Sequence, residues 1–210
     1  MKDAIGFIEV PGFSPTIVIL DVVDKAAEVR LLHVELNDML GACIKVAGQP
    51  AAIKAALAAA KGVAEQMRVE CVTHAINKPD DEAWKAIDAK KEFSPLLEAD
   101  VIFFPNQNKQ SASKENAVSE NGPFAIGLIE TQGLTAVLEA VDTACKAGNV
   151  QVLGREKLGG GYVTVIIRGD VAAVNAAIQA AKESVDSLGK LIAAHVIARP
   201  SEGVLSLLPK

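Results

Sequence analysis

Aromatic side chains make up only 4% of this 210-residue chain, with one Trp and one Tyr among them. Basic residues form no block, and Lys and Arg (21) are outnumbered by Asp and Glu (26), which leaves a net charge of −5. A protein that holds nucleic acid needs a cationic footprint and rings on which bases stack, so nucleic acid is excluded as a partner. Cysteine is scarce. Cys43, Cys71 and Cys145 are odd in number, far apart and without a CxxC pair. They fit buried thiols in a reducing cytoplasm and not a disulfide framework or metal centre. No apolar run reaches the roughly eighteen residues of a membrane span. The start, Met1-Lys2-Asp3 followed by Ala4-Ile5-Gly6-Phe7-Ile8-Glu9, lacks the apolar core and small-residue cleavage site of a secretory signal. The expectation is a chain that stays in the compartment where it is made, with no membrane partner.

What the chain has instead is small apolar residues and a repeat. Half of it is hydrophobic, dominated by Ala and Val, which suits close packing and flat self-association. "AIGFIEV" at Ala4 returns as "AIGLIET" at Ala125, and an offset of 121 residues carries the match onward without a gap. Gly12 falls on Gly133, Asp21 on Asp142, Lys25-Ala26 on Lys146-Ala147, Glu35 on Glu156, Gly48 on Gly169, His74 on His195 and Pro79 on Pro200. Such self-similarity marks two copies of one unit. The predicted division is residues 1–87 and 122–210, with a linker or insert over 88–121. Each copy reads β-α-β-β-α-β, an α/β (α+β) unit with an antiparallel or mixed sheet and helices on one face. The strands are Ile5–Val10, Val29–Leu36, Ala42–Val46 and Val69–Ile76, repeated as Ile126–Thr131, Val150–Lys157, Val163–Ile167 and Leu191–Ile197. The first helix opens near Ser14-Pro15, read as an N-cap followed by a first-turn proline, and ends near Ala27 or Gly148. The second starts at Pro50 or after Asp170. Within the insert, Val101–Phe104 is apolar enough to dock as a short strand or hairpin.

Catalytic groups are few. His74 and His195 repeat within the last strands, and His33 stands in another strand, so a structural histidine at a subunit contact outweighs a metal ligand. Glu9 and Glu130 also recur, which reads as a packing or interface requirement more than paired acid and base work. Nothing brings a nucleophile to a base, so no enzyme, metal or cofactor is expected. "KLGGGYVTVIIRGD" (157–170) is rich in glycine, yet its glycines precede a strand instead of opening a helix. A phosphate loop needs the opposite order, and a turn between two strands fits better.

The pattern "AIG.IE" with "D...KA", then "K.GGGYVTVIIRGDV.AV.AA" and a closing "IARP", resembles the shell proteins of bacterial microcompartments. Two such units in tandem, each beginning with its "AIG.IE" strand, look like the unpermuted, trimer-forming tandem BMC-domain branch. The resemblance implies two ferredoxin-like units per chain and three chains forming a pseudohexameric homotrimer. That trimer would tile with other shell proteins, hexamers and pentamers, around encapsulated enzymes in the cytoplasm. It also implies a central pore for small metabolites. Gly159, Gly160 and Gly161 would line it from the second copy, where backbone must approach backbone and bare N–H groups could favour anions. The first copy departs from this pattern: Asn37, Asp38 and Met39, with Leu40, stand at the corresponding turn, so bulkier and acidic loops would alternate with bare ones. Some relatives hold an iron–sulfur cluster through a cysteine of that loop; this loop has none, and no cofactor is implied. Lys25 and Lys146 match the lysine that relatives lay along the edge between tiles, with Arg199 and its counterpart Lys78 beside it. The other reading of the lysines is helix-end electrostatics, since each sits in a last turn. A tandem small-molecule-sensing regulatory module is the alternative function, because paired βαββαβ units also serve there; it would require a pocket with converging polar groups.

Overall fold

The computed structural model describes residues 3–37, 41–80, 83, 84, 87, 124–185 and 188–208. The first copy contains β1 (Ala4–Pro11), α1 (Phe13–Ala26), β2 (Val29–Asn37), β3 (Gly41–Gly48), α2 (Pro50–Met67) and β4 (Val72–Ile76). The second contains β5 (Ala125–Gln132), α3 (Leu134–Ala147), β6 (Gln151–Gly159), β7 (Tyr162–Gly169), α4 (Val171–Ser184) and β8 (Lys190–Ile197), followed by α5 (Glu202–Leu207). Each copy folds into a four-stranded sheet, β2-β3-β1-β4 and β6-β7-β5-β8, in which every pairing is antiparallel. The first strand of the unit thus lies inside the sheet, hydrogen-bonded on both sides. The expected β-α-β-β-α-β order is what forms. Strand ends differ from the expectation by at most three residues, and α5 was not anticipated: six residues are too few for a helical period to show.

The "AIG" opening has a packing reason. Gly6 and Gly127 are the third residues of their strands, and a Cβ at Gly127 would stand 2.8 Å from Ile167 and 3.0 Å from Ile178. At Gly6 it would stand 3.1 Å from Val46 and 3.2 Å from Ile53. The bare backbone lets the second helix of each unit settle onto its central strand. That helix contributes a stripe of small residues: Ile53, Ala56, Ala60 and Ala64 in α2, and Val174, Ala177, Ile178 and Ala181 in α4. Spacings of three and four keep these on one face.

The two copies do not have independent cores. One apolar cluster belongs to the second copy alone and includes Ile129, Val137, Ile167 and Val174. The other joins Ile8, Ile17, Leu20, Ile44 and Ile53 of the first copy to Ile126, Leu128, Ile166, Ile197 and Val204 of the second. Alternation along β5 explains the division. Ile129 faces the helices of its own copy, while Ile126, Leu128 and Glu130 face the other way, toward α1. The second sheet is therefore covered on both sides, by its own helices and by α1.

Two details correct the sequence reading. The N-cap of α1 is Gly12, at φ 86°, and Ser14 and Pro15 lie inside the first turn. Ser14 is buried, and its hydroxyl does not cap the helix. The thiols are less uniformly buried than expected: Cys43 and Cys71 are half-buried and Cys145 is exposed, although partial burial pushes all three up from the ordinary thiol range. The expected strand or hairpin at 101–104 lies outside the described residues.

Candidate functional site

Three places carry the residues singled out by the sequence: the β6–β7 turn, the joint between the copies, and the C-terminal ends of α1 and α3.

The turn is a two-residue hairpin. Gly159 pairs with Tyr162 across the ladder, and Gly160 and Gly161 form the loop. All three glycines have positive φ, 97°, 55° and 84°, a region that side chains with a Cβ enter at a cost of roughly 1–2 kcal/mol per residue. Two consecutive positive φ values at the loop positions suit the right-handed twist of the flanking strands. The chain by itself therefore supplies a reason for glycine here. Space does not: a Cβ on Gly159 would meet nothing within 4 Å, and one on Gly161 only Gln132 at 3.7 Å. All three are exposed. The turn is nonetheless fastened, since Gly133 N–H donates to Gly161 O at 2.9 Å and Gln132 Nε2 donates to Gly160 O at 3.4 Å. In the first copy, Asn37 is the last residue of β2, and Asp38 and Met39 lie outside the described residues.

The joint is built around Glu130. It ends the inward run of β5, is fully buried, and reaches the N-terminus of α1 in the other copy. Oε1 accepts from Phe13 N–H at 2.9 Å and Oε2 from Ser14 N–H at 3.0 Å. These amides open the helix and have no intrahelical acceptor, so a carboxylate supplied from outside serves as the cap and also meets the positive end of the helix dipole. Gly12 makes room for it: a Cβ there would lie 3.2 Å from Glu130 Oε2. Burial pushes the Glu130 carboxyl above its ordinary value, against the pull of the Phe13 and Ser14 amides and of the Thr164 hydroxyl. The same joint has a second clasp at the other end of α1. Asp21 Oδ1 accepts from Ser201 N–H at 2.8 Å and Asp24 Oδ2 from Gly203 N–H at 3.0 Å, while Ser201 caps α5 through Val204 N–H. Sequence reasoning had Glu130 as a packing or interface residue but missed its partner. The repeated Gly12 and Gly133 before each helix were the available signal.

His195 lines a cleft at this joint with Pro11, Gly12, Pro15, Met67 and Tyr162. Burial, with Lys182 nearby, lowers its pKa and favours the neutral ring. His74, its repeat, is exposed on β4. Among the described residues no three His, Cys, Asp or Glu side chains gather as metal ligands would.

Of the four residues matched to a tile edge by resemblance, Lys25 and Arg199 are in contact. Lys25 Nζ donates to Asp21 Oδ2 at 2.6 Å and to the Arg199 carbonyl. Lys146, in the equivalent last turn of α3, pairs with Asp142 and is the more exposed of the two. Lys78 is exposed beyond β4.

The family model for the BMC domain matches this chain twice, over residues 4–79 and 125–200. The chain belongs to the BMC-domain family of bacterial microcompartment shell proteins. Among its relatives, the microcompartment shell protein PduA of Citrobacter freundii is 50% identical over 86 residues, covering 41% of this chain and 92% of PduA. The major carboxysome shell protein CsoS1A of Halothiobacillus neapolitanus is 48% identical over 88 residues, 41% of this chain and 90% of that protein. A solved microcompartment protein from Desulfitobacterium hafniense aligns over 98% of this chain and 99% of its own, at 24% identity and a TM-score of 0.38. Two BMC domains in one chain thus give it a structural role in a microcompartment shell, and the relatives named are shell proteins. No described helix is long and apolar enough to cross a membrane.

Proposed function

We propose that three copies of the chain close into a homotrimer whose six BMC domains form a pseudohexagonal tile, with the Gly159–Gly161 turns at a central pore for small metabolites. The observation that carries this reading is the head-to-tail joint inside the chain. The second copy presents the outer face of its sheet and Glu130, and the first presents α1. The two surfaces are different, so the joint is heterologous, and repetition of such a contact generates a ring when its rotation closes. Since each copy carries both kinds of surface, every chain retains one of each for its neighbours.

Domain limits of 1–87 and 122–210 with an insert over 88–121 belong to this proposal, as do the site assignments. Asn37, Asp38 and Met39 would line the pore from the first copy. Lys25, Lys146, Lys78 and Arg199 would lie along the edges where tiles meet hexameric and pentameric shell proteins, around enzymes enclosed in the cytoplasm. The chain would do no chemistry of its own.

Solution mass and electron microscopy on one sample test it. The expected result is a particle of about 66 kDa, three chains of 21.9 kDa, that grows into sheets or tubes when concentrated. A Lys25→Ala, Lys146→Ala double variant should remain as discrete trimers. A wild-type particle of another mass that never tiles would contradict the trimer and favour the sensing module.

A further inference from the structure

Each element of the joint seen inside the chain has a repeat counterpart elsewhere in the molecule. On one side is α3, which occupies the place of α1 in the repeat. Phe13 and Ile17 of α1 are 9% and 2% exposed beneath the second copy, whereas their equivalents on α3, Leu134 and Leu138, are 45% and 50% exposed. The residue before α3 is again a glycine at positive φ, Gly133 at 117°, and it supplies no capping side chain. Where a Cβ on Gly12 would meet the Glu130 carboxylate at 3.2 Å, one on Gly133 would have no contact closer than 3.8 Å. The pocket that Glu130 fills at α1 is thus present at α3. On the other side is the outer face of the first sheet. Ile5, Phe7 and Glu9 stand on β1 where Ile126, Leu128 and Glu130 stand on β5; Ile5 is buried and Phe7 half-buried in the single chain, whereas Glu9 is exposed and Glu130 fully buried.

We infer that Glu9 of one copy caps α3 of a second copy, its carboxylate accepting from the Leu134 and Thr135 amides as Glu130 accepts from Phe13 and Ser14. The occupant of the exposed α3 face is therefore the β1 face of another copy of this chain. Charge agrees with this, because a carboxylate meets the positive end of a helix dipole. Exposure agrees at α3, whose Leu134 and Leu138 stand open where Phe13 and Ile17 are covered within the chain. Each trimer then contains three caps made within chains by Glu130 and three made between chains by Glu9. Only the second set decides whether chains assemble. This inference rests on the trimer of the proposed function and identifies the contact that closes it.

The test measures the concentration at which wild-type trimers dissociate, by sedimentation or mass photometry, alongside Glu9→Gln, Leu134→Pro and the two combined. Proline is tolerated at the first helical position, so Leu134→Pro removes the amide donor, together with the exposed leucine side chain, without breaking α3. Glu9 is exposed in the single chain, and unfolding of the dissociated variants by denaturant, set against dissociated wild type, separates an effect on the fold from the effect on association. Each single change is expected to weaken each of the three contacts on the order of 10- to 100-fold, the weight of a charge-assisted hydrogen bond, and so to raise the dissociation concentration of the trimer by about that factor to the power three halves. The combined variant should fall well short of the product of the two, because both changes break one contact. Trimers of Glu9→Gln as tight as wild type, or single effects that multiply in the combined variant, would overturn the Glu9 cap while leaving the trimer standing. A wild-type chain that is not a trimer removes the proposed function and this inference together, and shows before any variant is made.

Discussion

Helices α1 and α3 hold the same position in two copies of one unit, yet nine residues of α1 are buried and only four of α3, namely Ala136, Val137, Ala140 and Ala144. The four on α3 face its own sheet. The additional ones on α1, among them Phe13, Ile17 and Leu20, face the other copy. The same contrast separates Glu130, buried and bonded to two helix amides, from the exposed Glu9. A fold repeated within a chain thus displays one interface twice, once closed and once open, and the closed instance explains the residues of the open one.

The largest break in that comparison should come from the carboxylates. Glu130→Ala leaves two buried helix amides without acceptors, at about 2 kcal/mol each, for a loss of about 4 kcal/mol in unfolding free energy. Glu9→Ala, measured by the same denaturant titration on dissociated chains, should change stability by under about 1 kcal/mol, the weight of an exposed charged contact. Equal losses at the two positions would mean that Glu9 supports its own fold.

The apolar pair is expected to follow with a smaller difference. Ile17→Ala opens a hole in the shared core and should cost about 3 kcal/mol. Its repeat, Leu138→Ala, alters a half-exposed side chain and should cost under about 1 kcal/mol in the single chain, with its main effect on association. Chevron or equilibrium unfolding of the two variants, at concentrations where only single chains exist, reads the difference directly.

Turns give a third, weaker contrast. Gly161→Ala forces a Cβ into φ 84° with nothing nearer than Gln132 at 3.7 Å, so the cost is conformational alone, roughly 1 kcal/mol. Thermal unfolding should register that loss with no change in cooperativity. A loss several times larger would show that crowding, and not conformation, demands glycine in the single chain.

The repeat made most of the fold legible. Periodicity, the 121-residue offset and the small residues of α2 and α4 placed the eight strands and four long helices of the described residues, because each signal reports a local choice between inside and outside. The N-terminal cap of α1 was not legible. Ser14-Pro15 has the composition of a cap and first turn, but the carboxylate that caps this helix arrives from a residue 117 positions away, which no local pattern reports. Glu9 and Glu130 could be paired by the repeat and assigned to an interface; which helix they address depends on how two sheets and a helix stack. The β6–β7 turn shows a similar limit. Its three glycines announced a turn, while the reason for them, three positive φ values in succession, is visible only in the backbone.

Protonation of Glu130 supplies the finest test, and its sign follows from the direction of the shift. Burial raises the carboxyl above its ordinary value of 4.5, so the folded chain holds this proton more tightly than the unfolded chain does. The stability linked to the proton is fully present below the unfolded value and is lost as pH rises through the folded one. Glu130→Gln removes the titration and keeps the side chain's size, leaving one oxygen to accept from one α1 amide and an NH2 opposed to the other. Other carboxylates titrate alike in both proteins and cancel in the difference. Wild type should therefore exceed the variant in stability by more at pH below 4.5 than at neutral pH, with the change confined to the window from 4.5 up to the folded value. Urea midpoints for the pair across that range provide the measurement. The opposite slope, a wild-type advantage that grows toward neutral pH, would mean that the two amide bonds and the helix dipole outweigh burial and hold Glu130 ionised in the joint.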